Sequence, residues 1–135
     1  MDYPGVHPPN EESFSTAPTM VNKSILLTIA LFLSLIALCQ ASISGQATYF
    51  APGLGACGHT NGANDLIAAL NKAQYGSGGY CGKKATVHGP NGSVKVTIVD
   101  ECPGCSYGDL DLSPAAFKKI ADLSAGRVSI HWNWS

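Results

Sequence analysis

The feature that most constrains this chain is an uninterrupted apolar segment at residues 25–39, ILLTIALFLSLIALC. It contains no charged residue, Lys23 precedes it, and Cys39-Gln40-Ala41 places small residues at the two positions that an A-x-A-like cleavage site needs. A membrane-spanning helix needs roughly 20 apolar residues. The shorter segment therefore predicts a cleaved signal peptide, with an uncleaved signal-anchor or a buried globular helix as the alternatives.

This segment divides the chain into three predicted parts. Residues 1–19 contain no lysine or arginine, and Met20 stands where a signal peptide normally begins. We therefore expect residues 1–19 to be a disordered leader or a mis-assigned start. Residues 20–41 are the predicted signal peptide, and residues 42–135 are the predicted secreted, extracellular domain. After cleavage, no membrane association is expected.

The composition of the predicted domain excludes several classes of protein. Its seven basic and six acidic residues give no basic surface for nucleic acid, and 45% apolar residues in the whole chain are too many for a disordered protein. Four cysteines in a small secreted domain predict two disulfides; these are Cys57, Cys81, Cys102 and Cys105. The single C-x-x-C lacks the further ligands that zinc requires, so neither a metal nor another cofactor is expected.

The pattern along the domain is one of short strands and glycine-rich loops. Strands are predicted at 45–50, 84–88, 93–99 and 128–134. Asn91-Gly92 predicts a hairpin turn with positive φ, and Ser113-Pro114 predicts the N-cap and first position of a short helix. Segment 66–74 fits a strand or a helix equally well. This pattern predicts a small all-β barrel with one capped helix.

Periodicity also predicts which side chains form the core. Alternation along the strands and one stripe of the helix select the following residues: Val94, Val96, Ile98, Phe117, Ile120, Ala121, Val128, Ile130, Trp132 and Trp134. The loop tyrosines Tyr80 and Tyr107 are left as candidates for stacking on sugar rings. Two N-x-S motifs of the predicted domain, at 91–93 and 133–135, are candidate glycosylation acceptors in a secreted chain.

The densest polar patch is VDECPGCSYGDLDLSP, residues 99–114, which contains four acids: Asp100, Glu101, Asp109 and Asp111. A carboxylate just before a helix helps to satisfy its free N–H groups, so a capping role is open for Asp111. A pair of carboxylates is also what glycoside hydrolysis requires. Spacing alone does not show that any two of these acids face each other.

Four segments in order resemble a known family: GQATYFAPGLGACG (45–58), YCGKKATV (80–87), VTIVDECPGC (96–105) and DLDLSPAAF (109–117). They look like single-domain expansin-like proteins of the fungal loosenin type, in the barwin-like group with rare lipoprotein A and the family-45 glycoside hydrolases. The resemblance implies a six-stranded double-psi β-barrel with one or two short helices and an open polysaccharide groove. It further implies that Cys57 pairs with Cys81, and Cys102 with Cys105.

The resemblance also assigns roles to individual residues. Asp111 matches the aspartate of the expansin D-L-S motif and is the candidate catalytic acid, while Asp100 matches the second aspartate of the groove. Thr48 and Tyr49 match the T-Y of the first strand, so they join Tyr80 and Tyr107 as candidate substrate-binding residues.

The chain departs from its relatives where a second catalytic group would lie. Residues 50–52, Phe-Ala-Pro, offer no carboxylate where family-45 hydrolases have their general base. Lytic transglycosylases of the rare lipoprotein A type use a histidine that would fall near Asn71. Bacterial expansins have an aromatic residue where this chain has Cys102. An acid without a base does not activate water efficiently.

The sequence therefore predicts a secreted, non-hydrolytic protein that binds and loosens cell-wall glucan, chitin or a related polysaccharide, acting as a monomer. One alternative is a protein-interaction barrel, of the defence or protease-inhibitor type, that presents its loop at residues 76–82 to a protein partner. Another is a weak endoglucanase or lytic transglycosylase in which Asp109 or Glu101 supplies the second group.

Overall fold

The computed structural model describes residues 20–37 and 41–135, which fall into two compact units on either side of residues 38–40. The first unit contains one helix, α1 (Lys23–Ala37). The predicted leader at residues 1–19 and part of the predicted cleavage region lie outside the described residues. Within the two described ranges, no helix combines the length and apolar character needed to cross a membrane.

The second unit is a closed six-stranded barrel, as the resemblance implies. The strands are β1 (Ile43–Tyr49), β2 (Ile67–Asn71), β3 (Lys84–Gly89), β4 (Gly92–Cys102), β5 (Leu110–Leu112) and β6 (Val128–Trp134). Their order around the barrel is β1-β5-β2-β4-β3-β6. The pairs β1–β5 and β2–β4 are parallel and the other four are antiparallel.

Two short helices and a 3₁₀ turn complete this unit: α2 (Lys72–Tyr75), α3 (Pro114–Ile120) and the turn Leu123–Ala125. Segment 66–74, which the sequence assigned equally to a strand or a helix, contains both, because β2 leads directly into α2. Asn71 marks the change: its side-chain oxygen accepts from the Gln74 N–H at 3.0 Å and caps the helix. The predicted cap of α3 is confirmed, since Ser113 Oγ accepts from the Ala116 N–H at 3.2 Å.

The turn between β3 and β4 differs from the prediction. Gly89 pairs with Gly92, so Pro90 and Asn91 form a two-residue loop. No described residue other than glycine has a positive φ, so the positive φ predicted for Asn91 is wrong. The proline ring of Pro90 fixes φ near −65° and excludes the mirror-image turn. The Asn91 N–H instead donates to the Ile120 carbonyl at 2.8 Å, which holds the loop against α3.

The predicted core is largely confirmed. Ile98, Phe117, Ile120 and Trp132 have no exposed surface, and Trp132 Nε1 donates to the Gly108 carbonyl at 2.8 Å. Trp134 is only partly buried: its ring meets that of Trp132 edge-on at 5.0 Å and stacks on Tyr80 at 4.6 Å. Both disulfides have the implied pairing, Cys57–Cys81 and Cys102–Cys105.

Candidate functional site

Strand register places four residues in one row across the barrel wall. Thr48 on β1 lies opposite Asp111 on β5, Asp111 lies opposite Ala69 on β2, and Ala69 lies opposite Asp100 on β4. Directly opposed residues project from the same face of a sheet. Both neighbours of Ala69 on β2 belong to the core, so the row faces outward. We call Thr48, Asp111, Ala69 and Asp100 the acid row.

A β-bulge is what brings Asp100 into this row. Ile98 lies in the core and pairs with Ala68, so strict alternation would also point Asp100 inward. The register shifts by one residue after Ala68, so Asp100 pairs with Ala69 and Val99 is the extra residue. A bulge of this kind re-aims the side chain that follows it. Asp100 therefore reaches the outer face beside Asp111.

Backbone amides hold the Asp100 carboxylate. Its Oδ1 accepts from the Ala56 N–H and from the Glu101 N–H, both at 2.8 Å. The bulge carbonyl of Val99 accepts from the Cys57 N–H at 3.2 Å, so the glycine-rich loop after β1 closes over the bulge. One carboxylate oxygen is thus fixed by the fold, and the described residues make no hydrogen bond to the other.

Asp111 has a different environment. Its Oδ1 accepts from Thr48 Oγ1 at 2.8 Å, and the carboxylate is half-buried. Burial raises the pKa of Asp111, and the Asp100 charge adds to the increase, while the Thr48 hydrogen bond and the Arg127 charge oppose it. Two strand spacings, about 10 Å of backbone, separate the two acids. Asp111 therefore holds a proton more readily than an exposed aspartate does.

This raised pKa predicts a pH-dependent effect of Asp111→Asn on stability. The neutral form is favoured in the fold, so the stabilisation is fully present below the unfolded pKa of 3.8 and is lost as pH rises through the folded pKa. Asparagine stays neutral and can still accept from Thr48. We expect the variant to have a higher free energy of unfolding than the parent near pH 7, and no such advantage at about pH 3.

Urea denaturation at the two pH values measures this difference. Asp122→Asn is the matched control, because Asp122 is exposed and its side chain makes no cap hydrogen bond to the turn that follows it. An Asp111→Asn effect of equal size at both pH values would contradict a titrating Asp111.

Tyr49 is not brought to the acid row. It pairs with Leu112, whose side chain is fully buried, and therefore lies on the other face of β1 from Thr48. Its ring packs 4.9 Å from Phe117, and its hydroxyl donates to the Leu123 carbonyl at 3.1 Å. Tyr49 is still 38% exposed, so it stays a candidate binding residue at this end of the barrel but outside the acid row.

The two loop tyrosines also lie off the strands of the acid row. Tyr80 stacks on Trp134, and Lys83 Nζ lies 4.8 Å from the centre of its ring. These three residues line an open surface cavity of about 660 Å³. Tyr107 is 67% exposed in the loop that follows the Cys102–Cys105 disulfide. Tyr80 remains a candidate binding residue because it lines this cavity, and Tyr107 because it is exposed.

The candidates for a second catalytic group fall into two classes. Asp109 accepts from the Gln46 N–H at 2.8 Å and from the Ser106 N–H at 3.1 Å, so both of its oxygens are engaged in holding the backbone. Asn71, where the lytic transglycosylases have a histidine, is fully buried as the α2 cap. Glu101 is partly buried and makes no side-chain hydrogen bond to a described residue. It is the carboxylate left free beside Asp100.

Sequence reasoning missed Ala69 and Val99. Ala69, which is 3% exposed, lies between the two acids in the strand register, and Val99 supplies the bulge. Neither residue carries a chemical group that a motif search would select, because their roles depend on strand register. Among residues 20–37 and 41–135, no three His, Cys, Asp or Glu side chains are grouped as a metal site would require.

Comparisons with known proteins identify the family to which the barrel is similar. Residues 42–132 match the family described as lytic transglycolase. An EG45-like domain containing protein of Citrus jambhiri is 32% identical over 127 residues, which cover 84% of this chain and 97% of that protein. The papain inhibitor of Streptomyces mobaraensis is 33% identical over 101 residues, which cover 68% and 71% of the two chains.

A solved structure shares the barrel. A mutant expansin of Clavibacter michiganensis, crystallised in complex with cellohexaose, is 31% identical with a TM-score of 0.66. The match covers 70% of this chain and 50% of the expansin, so the chain spans about half the length of that relative.

Proposed function

This chain belongs to the family described as lytic transglycolase, among the expansin-like double-psi β-barrels, and on that premise we propose that it is a secreted, non-hydrolytic protein that binds and loosens cell-wall polysaccharide. The acid row is the observation that carries this proposal. Two carboxylates and a hydroxyl face outward on either side of a single alanine.

Ala69 is the smallest side chain of the row, and a sugar placed across it would meet Asp111 on one side and Asp100 on the other. Sugar hydroxyls can donate to both carboxylates, and hydrogen bonds to charged acceptors are the stronger kind. A chain held in this way would exchange its hydrogen bonds with neighbouring glycan chains for bonds to the protein. The cellohexaose bound by the related expansin makes a β-glucan the first ligand to test.

The absence of a positioned base argues against efficient hydrolysis. An inverting enzyme needs an acid and a base on opposite sides of the scissile bond, and a retaining enzyme needs an acid and a nucleophile. Asp111 fits the acid better than an exposed aspartate would, because burial raises its pKa. Asp100 has one oxygen held by two amides, and Asp109 has both of its oxygens held by amides. Glu101 is the remaining carboxylate for a weak enzymatic activity.

The test is a paired assay of the purified protein on cellulose, chitin and peptidoglycan, measuring bound protein and released reducing or anhydro sugar together. We expect binding without release. Asp111→Asn and Asp100→Asn should each weaken binding about five- to tenfold, because asparagine still accepts a hydrogen bond but loses the additional ~1–1.5 kcal/mol that a charged acceptor contributes. Asp122→Asn, which changes an exposed aspartate that is not part of the acid row, should bind like the parent.

Unchanged binding in both row variants would refute the proposed site. Sugar release that disappears in Asp111→Asn would instead identify an enzyme, and Glu101→Gln would then test the second group.

A second function has a specific observation in its favour, the similarity to the Streptomyces papain inhibitor over 71% of that protein. In this case a loop such as 76–82 would contact a protein partner, and glycan binding would be absent. Papain inhibition that survives Asp111→Asn would support this alternative.

A further inference from the structure

The two N-x-S motifs of the barrel lie in different surroundings. Asn91-Gly92-Ser93 forms the turn between β3 and β4, and all three residues are exposed. Asn133 lies within β6, opposite Thr86, and is partly buried. Its amide nitrogen also donates to the carbonyl of Trp134 at 3.4 Å.

The Asn91 side chain is free to carry a substituent. It makes no hydrogen bond to any residue within the described ranges, because the turn is held through the Asn91 backbone N–H instead. The opposite side of the turn is filled: a Cβ on Gly89 would lie 2.8 Å from Ile120 Cβ, and one on Gly92 would lie 3.0 Å from the Lys119 carbonyl. The backbone is therefore fixed against α3 while the amide reaches solvent.

We propose that Asn91 is the site of an N-linked oligosaccharide and that Asn133 is not. This goes beyond the proposed function but shares its premise of export. Asn91 Nδ2 attacks the first sugar carbon of a lipid-diphosphate-linked oligosaccharide. The C–N bond forms as the bond from carbon to diphosphate oxygen breaks, the lipid diphosphate leaves, and the nitrogen loses one proton. Ser93 supplies the hydroxyl that the acceptor motif requires.

The position of this glycan is compatible with polysaccharide binding. Eight residues of β4 separate Asn91 from Asp100, and at about 3.3 Å per residue this separation spans roughly 25–30 Å. The glycan would extend from the end of the barrel that α3 covers, whereas Asp100 lies near the other end of β4. It would cover the β3–β4 turn and leave the acid row open.

The test is expression of the full chain in a eukaryotic secretory host, once with its own N-terminus and once behind a host secretion leader. Secreted and cell-associated protein are both digested with peptide N-glycosidase F and analysed by peptide mass spectrometry. We expect one glycan on residues 42–135, with Asn91 converted to aspartate on its removal. Asn91→Gln and Ser93→Ala should each abolish the glycan, while Asn133→Gln should keep it.

Cellulose binding by Asn91→Gln should equal that of the parent. Leader-directed protein without a glycan at Asn91, or with a glycan that Asn133→Gln removes, would overturn the proposal. A glycan found only behind the host leader would support the Asn91 site and count against the signal peptide instead. The glycosylation of Asn91 and the predicted signal peptide can therefore be refuted independently of each other.

Discussion

Alanine at Gly45 should remove most of the stability of the barrel. A Cβ there would lie 2.1 Å from the Gly108 carbonyl oxygen and 2.8 Å from the Asp109 nitrogen, and both are backbone atoms that a side-chain rotation cannot move. Relief requires β1 to separate from the start of β5. That movement would break the hydrogen bond from the Gln46 N–H to Asp109 and displace the Gly108 carbonyl that Trp132 uses.

We expect Gly45→Ala to lower the free energy of unfolding by more than about 4 kcal/mol. Losses of this size are exceptional and occur where a substitution causes a severe clash. Small domains are stable by only about 5–15 kcal/mol, so much of the variant would be unfolded. Gly108→Ala should act similarly, because its φ is +88° and its Cβ would lie 2.2 Å from the Ser44 carbonyl oxygen. Urea denaturation followed by tryptophan fluorescence measures both.

Gly53→Ala is the matched control, since nothing lies within 4 Å of a Cβ at that position and its φ is not in the left-handed region. Its free energy of unfolding should be within about 0.5 kcal/mol of the parent. A Gly45→Ala variant as stable as this control would show that β1 and β5 do not approach as closely as described.

Removal of the Cys57–Cys81 disulfide should produce the second large effect. The bond joins residues 24 positions apart. Closing a loop of this length restricts the unfolded chain by about 3.5 kcal/mol in the chain-entropy model. The double variant Cys57→Ser, Cys81→Ser should therefore lower the free energy of unfolding by about that amount, measured by urea denaturation without reductant.

The effect should extend to the acid row. Cys57 follows Ala56, whose N–H holds the Asp100 carboxylate, and the Cys57 N–H binds the Val99 bulge. A loosened loop should therefore weaken polysaccharide binding even under conditions where the double variant remains folded.

The other disulfide supplies the comparison. Cys102 and Cys105 are only three positions apart, and the same entropy relation gives about 1.9 kcal/mol for so short a loop. Cys102→Ser, Cys105→Ser should be the milder double variant. Equal losses from the two pairs would contradict an entropic role for the Cys57–Cys81 bond.

Local sequence identified most of the secondary structure for clear reasons. Alternation in β4 and β6 reported their buried faces, and Ser113-Pro114 marked the start of α3, because both signals depend only on neighbouring residues. The β3–β4 turn was predicted with the wrong geometry, since the Asn-Gly signal was given more weight than the proline beside it. Segment 66–74 was ambiguous because it holds a strand and a helix in succession.

The candidate site also has one part that the sequence predicts and another that only the fold determines. Sequence by itself determined which groups are available: the carboxylates of Asp100 and Asp111, the Thr48 hydroxyl, and four cysteines for two disulfides. Tertiary structure alone decided which of them meet. Parallel pairing of β1 with β5 set Thr48 beside Asp111, and the bulge at Val99 turned Asp100 outward. Because side chains alternate along β1, the pairing that places Thr48 beside Asp111 places Tyr49 on the opposite face. Register between distant strands is not determined by the sequence of either strand alone.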